Sequence, residues 1–195
     1  YTNMGVAYIK TGDYEKALEC FRKAKDLMPG GVQDQCNLEN MGAAYAKLGN
    51  YEDSLQCFQK ARELGPGYAL EELNIGHALA KLGRTEEALA YFSKAISKDP
   101  KFIRAYQEMG QLLASSGQAE EAIRLYGKAL LVDAGNPDIR NGLALAYMRL
   151  DRLSEAEKTL RGILADMPGN QYAEANLASV LIRQGKPDEA MRHMS

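Results

Sequence analysis

Two segments of this chain nearly repeat each other, and this repetition limits the possible folds more than any other feature of the sequence. Residues 3–29, NMGVAYIKTGDYEKALECFRKAKDLMP, return 37 residues later as NMGAAYAKLGNYEDSLQCFQKARELGP. The glycine of NMG then recurs every 34 residues, with alanine in its place in the last two copies. These small residues are Gly5, Gly42, Gly76, Gly110, Ala144 and Ala178. A fixed period in this range is typical of a solenoid, in which each copy buries its apolar surface against the next.

Each copy predicts a helix, a turn and a second helix, because apolar residues recur at spacings of three and four on both sides of a turn residue. The turn residues are Gly12, Gly49, Gly83, Gly117, Asp151 and Gly185. Acidic residues begin the second helix, where the helix dipole favours negative charge. Its large apolar residues are Phe21, Phe58, Phe92, Tyr126, Leu160 and Met194. The closing prolines are Pro29, Pro66, Pro100 and Pro168.

These columns resemble the signature of the tetratricopeptide repeat, and the resemblance extends over residues 1–195. It implies an all-α fold, an α-solenoid in which tandem helix-turn-helix repeats form a right-handed superhelix. We expect a single array with repeats at approximately 1–34, 35–68, 69–102, 103–136, 137–170 and 171–195. Because the first and last repeats are truncated and no polar capping helix is visible, we expect the chain to be a fragment of a longer array or of a protein with further domains.

Some positions depart from the signature. Four residues before the small residue, where a large apolar side chain is expected, three repeats carry Glu72, Arg140 and Glu174. The spacer GGVQD adds three residues between repeats 1 and 2. We expect the addition to lengthen either the loop or the start of the next helix.

Composition argues against several classes of function. The 24 basic and 26 acidic residues give a net charge of −2, which offers no electrostatic support for nucleic-acid binding. No membrane span, signal peptide, zinc-ligand spacing or phosphate loop is visible. Cys20 and Cys57 occupy equivalent places between apolar neighbours, which favours buried thiols in a reducing compartment. We therefore expect a cytoplasmic protein without metal, cofactor or enzymatic activity.

Helical geometry places one stripe of each first helix opposite its buried side, at six and two residues before the small residue and one and five residues after it. Two rows in this stripe are non-random. The amide row is Asn3, Asn40, Asn74 and Asn176, and the basic row is Lys10, Lys47, Lys81, Arg149 and Arg183. Asparagine can donate to and accept from one peptide bond, whereas the cations would attract carboxylates. Simple solvation of an exposed helix face would produce similar rows.

The resemblance implies that the first helices line a concave groove that binds peptides. The candidate groove residues are Asn3, Lys10, Asn40, Lys47, Asn74, His77, Lys81, Arg104, Gln111, Arg149, Asn176 and Arg183. Apolar anchors on or beside the stripe would be Leu70, Leu73, Leu145, Met148, Tyr172 and Ile182. His77 has no nucleophile or carboxylate beside it on its own helix, and nothing is predicted for His193.

The favoured hypothesis is a scaffold for protein–protein interaction that binds an extended peptide or protein segment, and the basic row would suit a segment with acidic groups. The alternative is a non-catalytic, substrate-recruiting segment of a larger enzyme such as a protein glycosyltransferase, whose asparagine ladder these repeats resemble. Binding of RNA, as in a related 35-residue helical repeat, is disfavoured by the period and the slight acidity. Self-association through the truncated ends is a further possibility.

Overall fold

One residue in the left-handed conformation ends the first helix of each repeat, and these six residues are the ones that the sequence predicts. The five glycines in these turns have φ between 75° and 86°, and Asp151 has φ 58°. The following backbone N–H then bonds back to a carbonyl in the last turn of the helix, as Arg84 does to Leu79 at 2.9 Å. Only glycine adopts this backbone region without cost, so the glycine column fixes where each first helix stops.

The structure is a computed structural model that describes residues 1–27, 32–65 and 67–193. Within these ranges it contains twelve α-helices and no β-strand, which confirms the predicted all-α class. The helices are α1 Thr2–Thr11, α2 Tyr14–Leu27, α3 Val32–Lys47, α4 Tyr51–Leu64, α5 Ala69–Lys81, α6 Thr85–Lys98, α7 Ile103–Ser115, α8 Ala119–Val132, α9 Pro137–Arg149, α10 Leu153–Asp166, α11 Gln171–Arg183 and α12 Pro187–Met191. Pro100 and Pro168 follow shortly after α6 and α10, whereas Pro29, Pro66 and Met194 lie outside the described residues.

The three extra residues between repeats 1 and 2 lengthen a helix. Helix α3 has 16 residues, whereas α5, α7, α9 and α11 each have 13. Each 13-residue helix begins seven positions before its small residue, and α3 begins ten positions before Gly42. The insertion is therefore absorbed as extra helical residues at the start of α3.

The helices form two units, Tyr1–Asp99 and Pro100–Ser195. Within each unit, every helix packs against the next one in the chain, and the successive first helices also contact each other. The backbones of successive second helices lie farther apart within the described residues, and these helices meet through long side chains, as Arg62 of α4 meets Tyr91 of α6. Each unit consequently has two layers, with the first helices α1, α3 and α5, or α7, α9 and α11, side by side in one of them.

Each first helix approaches its second helix closely enough that only a small residue fits between them. A Cβ atom added at Gly5 would lie 2.6 Å from the Phe21 ring, one at Gly42 would lie 2.8 Å from Phe58 and one at Gly76 would lie 2.7 Å from Phe92. Gly110 has the same relation to Tyr126. In repeat 5, alanine at the small position accompanies Leu160 in place of an aromatic residue, and both are fully buried. Glycine on the first helix thus accompanies an aromatic residue on the second, and alanine accompanies the smaller leucine.

Apolar residues from neighbouring helices fill the space around these contacts. In the N-terminal unit the core around Phe21 includes residues from α2, α3 and α4, and in the C-terminal unit the core around Leu160 includes residues from α9 to α12. Cys20 and Cys57 are both buried and unpaired, as their equivalent positions predict. Such interiors tolerate little change in side-chain volume.

Two of the three charged residues at the expected apolar position form ion pairs with the end of their own second helix. Glu72 bonds to Lys98 at 2.5 Å, and Arg140 bonds to Asp166 at 2.6 Å. Both pairs span 26 residues, and their charges are reversed relative to each other. In repeats 1, 2 and 4 the same two positions carry apolar pairs. These are Tyr1 with Leu27, Leu38 with Leu64, and Tyr106 with Val132.

Replacing Gly76 by alanine should destabilise the protein, because the new Cβ atom would collide with the buried Phe92 ring. We expect the free energy of unfolding, measured by chemical denaturation, to fall by about 1–3 kcal/mol. Adding Phe92→Leu should recover much of this loss, since leucine accompanies alanine in repeat 5. The matched control is Gly127→Ala in α8, where an added Cβ would meet no atom within 4 Å. An equal loss in both single variants would contradict the packing account.

Candidate functional site

The stripe predicted on the first helices is accessible in every repeat. All of its described side chains are exposed or half-buried, and none is buried. We call this surface the first-helix stripe; its members are Asn3, Val6, Lys10, Cys36, Asn40, Ala43, Lys47, Leu70, Asn74, His77, Lys81, Arg104, Glu108, Gln111, Ser115, Asp138, Gly142, Leu145, Arg149, Tyr172, Asn176, Ser179 and Arg183. The buried face of each helix, which carries residues such as Ile75 and Leu79, accounts for this exposure, because it turns the stripe away from the second helix.

Three asparagines of the amide row have no side-chain hydrogen bond within the described part of the chain. Asn3 is exposed, and Asn40 and Asn74 are half-buried. The fourth, Asn176, makes one long contact, from its Nδ2 to the Oδ1 of Asn141 at 3.5 Å. The N-terminal unit thus presents one amide per repeat, each able to donate and to accept.

The basic row divides into engaged and available side chains. Arg183 donates to the backbone carbonyl of Met148 at 2.9 Å and to the carboxylate of Asp151 at 2.8 Å. These bonds stabilise the turn at Asp151, where, among the described residues, an amino acid other than glycine adopts the left-handed conformation. Within the described residues, no hydrogen bond or ion pair engages the side chains of Lys10, Lys47, Lys81 and Arg149.

The gap in the amide row at Gly142 has a packing cause. A Cβ atom at Gly142 would lie 2.6 Å from Cζ and 2.7 Å from the hydroxyl oxygen of Tyr126. The Tyr126 ring extends from α8 past Gly110 to α9. The Cβ atom of an asparagine at position 142 would therefore collide with this ring. The other gap, Glu108, is a half-buried residue of α7.

The two units present different chemistry on the stripe. In the N-terminal unit the charged members are Lys10, Lys47 and Lys81, with no aspartate or glutamate among them. The C-terminal stripe carries three arginines together with Glu108 and Asp138. The chain as a whole has a charge of −2, so the basic character of the N-terminal stripe is local.

Five of the six predicted apolar anchors are accessible, and one is not. Leu70, Leu145, Tyr172 and Ile182 are exposed by 43–77%, and Met148 is half-buried. Leu73 is 1% exposed, so the prediction that it lies at the groove is wrong. It lies three residues before the small residue of its repeat, and at that place α5 faces the core.

The remaining candidates are also placed on the stripe, and one histidine makes a contact that the sequence did not reveal. His77 is half-buried, and Arg104 and Gln111 are exposed on α7. His193 lies 2.5 Å from Glu174, between its Nδ1 and the Oε2 of the carboxylate. The contact gives the charged residue at position 174 a polar partner later in its own repeat, as Glu72 and Arg140 also have.

Metal-binding geometry and membrane-spanning character are both missing from the described residues. No group of three or more His, Cys, Asp or Glu side chains is placed there to hold a metal ion. None of the described helices combines the length and apolar character needed to cross a bilayer.

The fold defines a helical repeat protein whose first helices present an accessible stripe of side chains. Models described as tetratricopeptide repeat match residues 1–30, 33–97, 79–125, 113–168 and 171–194. The chain belongs to the tetratricopeptide-repeat family, whose fold is that of a protein-interaction scaffold. No curated protein sequence matches the chain significantly.

Solved structures support the same fold at low sequence identity. A tetratricopeptide repeat protein from Parabacteroides merdae is 20% identical with a TM-score of 0.85, over 98% of this chain and 75% of that one. TTC0263 from Thermus thermophilus is 24% identical with a TM-score of 0.70, over 93% and 97% of the two chains. YrrB, described as having an unusual peptide-binding site, is 22% identical with a TM-score of 0.69, over 89% and 88%.

Ionisation of Tyr126 should destabilise the fold at high pH. Burial raises the pKa of Tyr126 to about 12, above its ordinary value of 10.0. The stabilisation is therefore fully present below pH 10 and is lost as the pH rises through 12. Between about pH 9 and pH 11, the free energy of unfolding of the wild type should fall by about 1 kcal/mol more than that of Tyr126→Phe. Parallel pH profiles for the two proteins would contradict this assignment.

Proposed function

We propose that the N-terminal unit binds an extended, acidic segment of another protein along its first-helix stripe. The observation that carries the proposal is the set of three accessible amides, Asn3, Asn40 and Asn74, which have no side-chain partner among the described residues. A peptide backbone supplies one donor and one acceptor per residue, which an asparagine side chain can satisfy together. Such contacts bind the backbone of a segment and do not depend on its side chains.

The spacing of the amides suits an extended chain. Packed helices lie about 8–10 Å apart, and an extended chain rises about 3.3 Å per residue. Because the first helices of the unit contact each other in order, successive amides would meet about every third residue of a bound segment. The residues between these contacts could then vary freely.

The charge of the stripe favours acidic partners. The N-terminal stripe contains Lys10, Lys47 and Lys81 and no aspartate or glutamate. Each repeat therefore offers one amide and one ammonium group, seven residues apart on the same helix face. Carboxylates of the partner would meet the ammonium groups while its backbone meets the amides.

Energetic considerations require contributions beyond the amides. Three neutral hydrogen bonds at about 0.5–1.5 kcal/mol each supply roughly 2–5 kcal/mol, whereas a micromolar complex needs about 8 kcal/mol. Bonds that involve a charged group contribute about 1.5–3 kcal/mol each, so the lysines could supply the difference. The exposed Leu70 lies at the N-terminal end of α5, whereas Lys81 ends that helix. Leu70 would therefore add an apolar contact at the opposite end of the stripe on α5.

The family and one structural neighbour support the same proposal. Tetratricopeptide repeats are generally non-catalytic scaffolds, and YrrB is described as having a peptide-binding site. Its likeness to this chain concerns the fold, so the chemistry of the partner rests on the stripe residues themselves.

The double substitution Asn40→Ala with Asn74→Ala should weaken binding and leave the fold intact. The probes are fluorescently labelled peptides of about ten residues, alike except for glutamate, glutamine or lysine at alternate positions. The wild type should bind the glutamate peptide most tightly. Loss of two hydrogen bonds of about 1 kcal/mol each should raise its Kd by about thirtyfold.

The control removes two amides from another surface of the same unit. Gln56→Ala with Gln59→Ala changes exposed residues of α4 and should leave both binding and melting temperature unchanged. Unaltered affinity in the asparagine variant, or a preference for the lysine peptide, would contradict the proposal.

A further inference from the structure

Two carboxyl groups from neighbouring repeats meet around a single amide donor. The Nε2 of Gln35 donates to the Oε1 of Glu39 at 3.0 Å and to the Oε1 of Glu71 at 3.1 Å. Gln35 and Glu39 belong to α3, and Glu71 belongs to α5. Gln35 and Glu71 are buried, and Glu39 is half-buried. The contact thus joins repeats 2 and 3 within the layer of first helices.

The nearby cations are directed at a different carboxylate. Lys98 of α6 bonds to Glu72 at 2.5 Å, and Arg62 of α4 lies 3.7 Å from the same carboxylate. Arg62 also donates to the hydroxyl of Tyr91 at 3.1 Å. No ion pair with a basic side chain joins Glu39 or Glu71 among the described residues. The charged groups that these contacts bring together are Glu39 of α3, Arg62 of α4, Glu71 and Glu72 of α5 and Lys98 of α6, and the buried Asp34 precedes Gln35 on α3.

Two adjacent carboxyl groups without a cation cannot both ionise cheaply, because each negative charge disfavours the other. The pKa of Glu39 is raised above its ordinary value by burial and then by its hydrogen bond to the Glu71 carboxyl, and the Gln35 bond opposes this only in part. A hydrogen bond between two carboxyl groups itself requires that one of them carry a proton.

We propose that Glu39 and Glu71 form a proton-dependent clasp between repeats 2 and 3. In the protonated pair, the O–H of one carboxyl donates to the other and ties α3 to α5. When the proton leaves, two negative charges face each other with the Gln35 amide as their common donor, and the junction is weakened. The chain thereby carries a pH-sensitive contact in the layer that bears Asn40 and Asn74.

The direction of the pH effect is opposite to that of ordinary salt-bridged carboxylates. Because the pKa of Glu39 in the folded protein lies above the ordinary value of 4.5, the stabilisation is fully present below 4.5 and is lost as the pH rises through the folded-state pKa. Other acidic groups whose pKa is lowered, such as Glu157, contribute stability that is lost on acidification instead. Only a comparison of matched variants isolates the clasp from these groups.

The test is Glu39→Gln, whose carboxamide can donate to Glu71 at every pH. Relative to the wild type, the variant should have a higher denaturation midpoint at about pH 7.5 and no advantage near pH 4.5. At about pH 7.5, slowly exchanging amides of α3 and α5 should exchange severalfold more slowly in the variant, because the two helices are then joined without two facing negative charges.

The control is Glu63→Gln, which removes an exposed acid from α4 of the same unit. A pH-dependent advantage confined to Glu39→Gln supports the clasp, and an equal advantage in both variants overturns it. If Glu39→Gln folds poorly, Glu39→Ala supplies a second comparison, because it removes one carboxyl group and leaves both oxygens of Glu71 with their donors, Gln35 at 3.1 Å and the backbone N–H of Tyr68 at 3.1 Å. Its free energy of unfolding relative to that of the wild type should rise between about pH 4.5 and about pH 7.5. A pH-independent difference between the wild type and both Glu39 variants would also overturn the proposal. None of these measurements involves a peptide, so their outcome is separate from that of the proposed function.

Discussion

The close approach of each first helix to its second helix governs the rest of this structure. Gly5, Gly42 and Gly76 allow an aromatic ring from the second helix to lie where a Cβ atom would otherwise be. This contact commits one face of the first helix to the interior, and helical geometry then turns the opposite face outward. The accessible amides and cations are therefore a consequence of packing between helices rather than of their own interactions.

Ion pairs replace apolar contacts in repeats where a charged residue occupies the position four residues before the small residue. Glu72 and Arg140 replace apolar residues at one position, and each meets an opposite charge 26 residues later in its own repeat. Since removing one member of a partly buried pair leaves the other uncompensated, such positions are expected to change together. Glu39 and Glu71 lie beside the pair of Glu72 with Lys98, but their shared hydrogen-bond donor is the neutral amide of Gln35. The proposed contact between Glu39 and Glu71 therefore depends on a proton, whereas the pair of Glu72 with Lys98 depends on opposite charges.

The sequence predicts the elements that follow from local rules and misses those that depend on distant partners. The glycine column and Asp151 predict all six turns, because a left-handed residue is a local requirement. Exposure of Asn40 and Asn74 follows from helical periodicity. The burial of Leu73 was missed because it lies at the edge of the predicted stripe, where a small rotation of the helix decides exposure. Comparison of equivalent columns could have revealed the pair of Glu72 with Lys98, whereas the contacts of Gln35 and Arg183 join different repeats and leave no periodic signal.

The central claim is that the outward amides of the first helices receive a polypeptide backbone. A structure of the protein in complex with the glutamate peptide tests it most directly. The account predicts hydrogen bonds of about 2.9 Å from the side-chain amides of Asn40 and Asn74 to backbone groups of the peptide. A peptide bound to the second helices, or asparagine amides that remain unbonded beside a bound peptide, would contradict it.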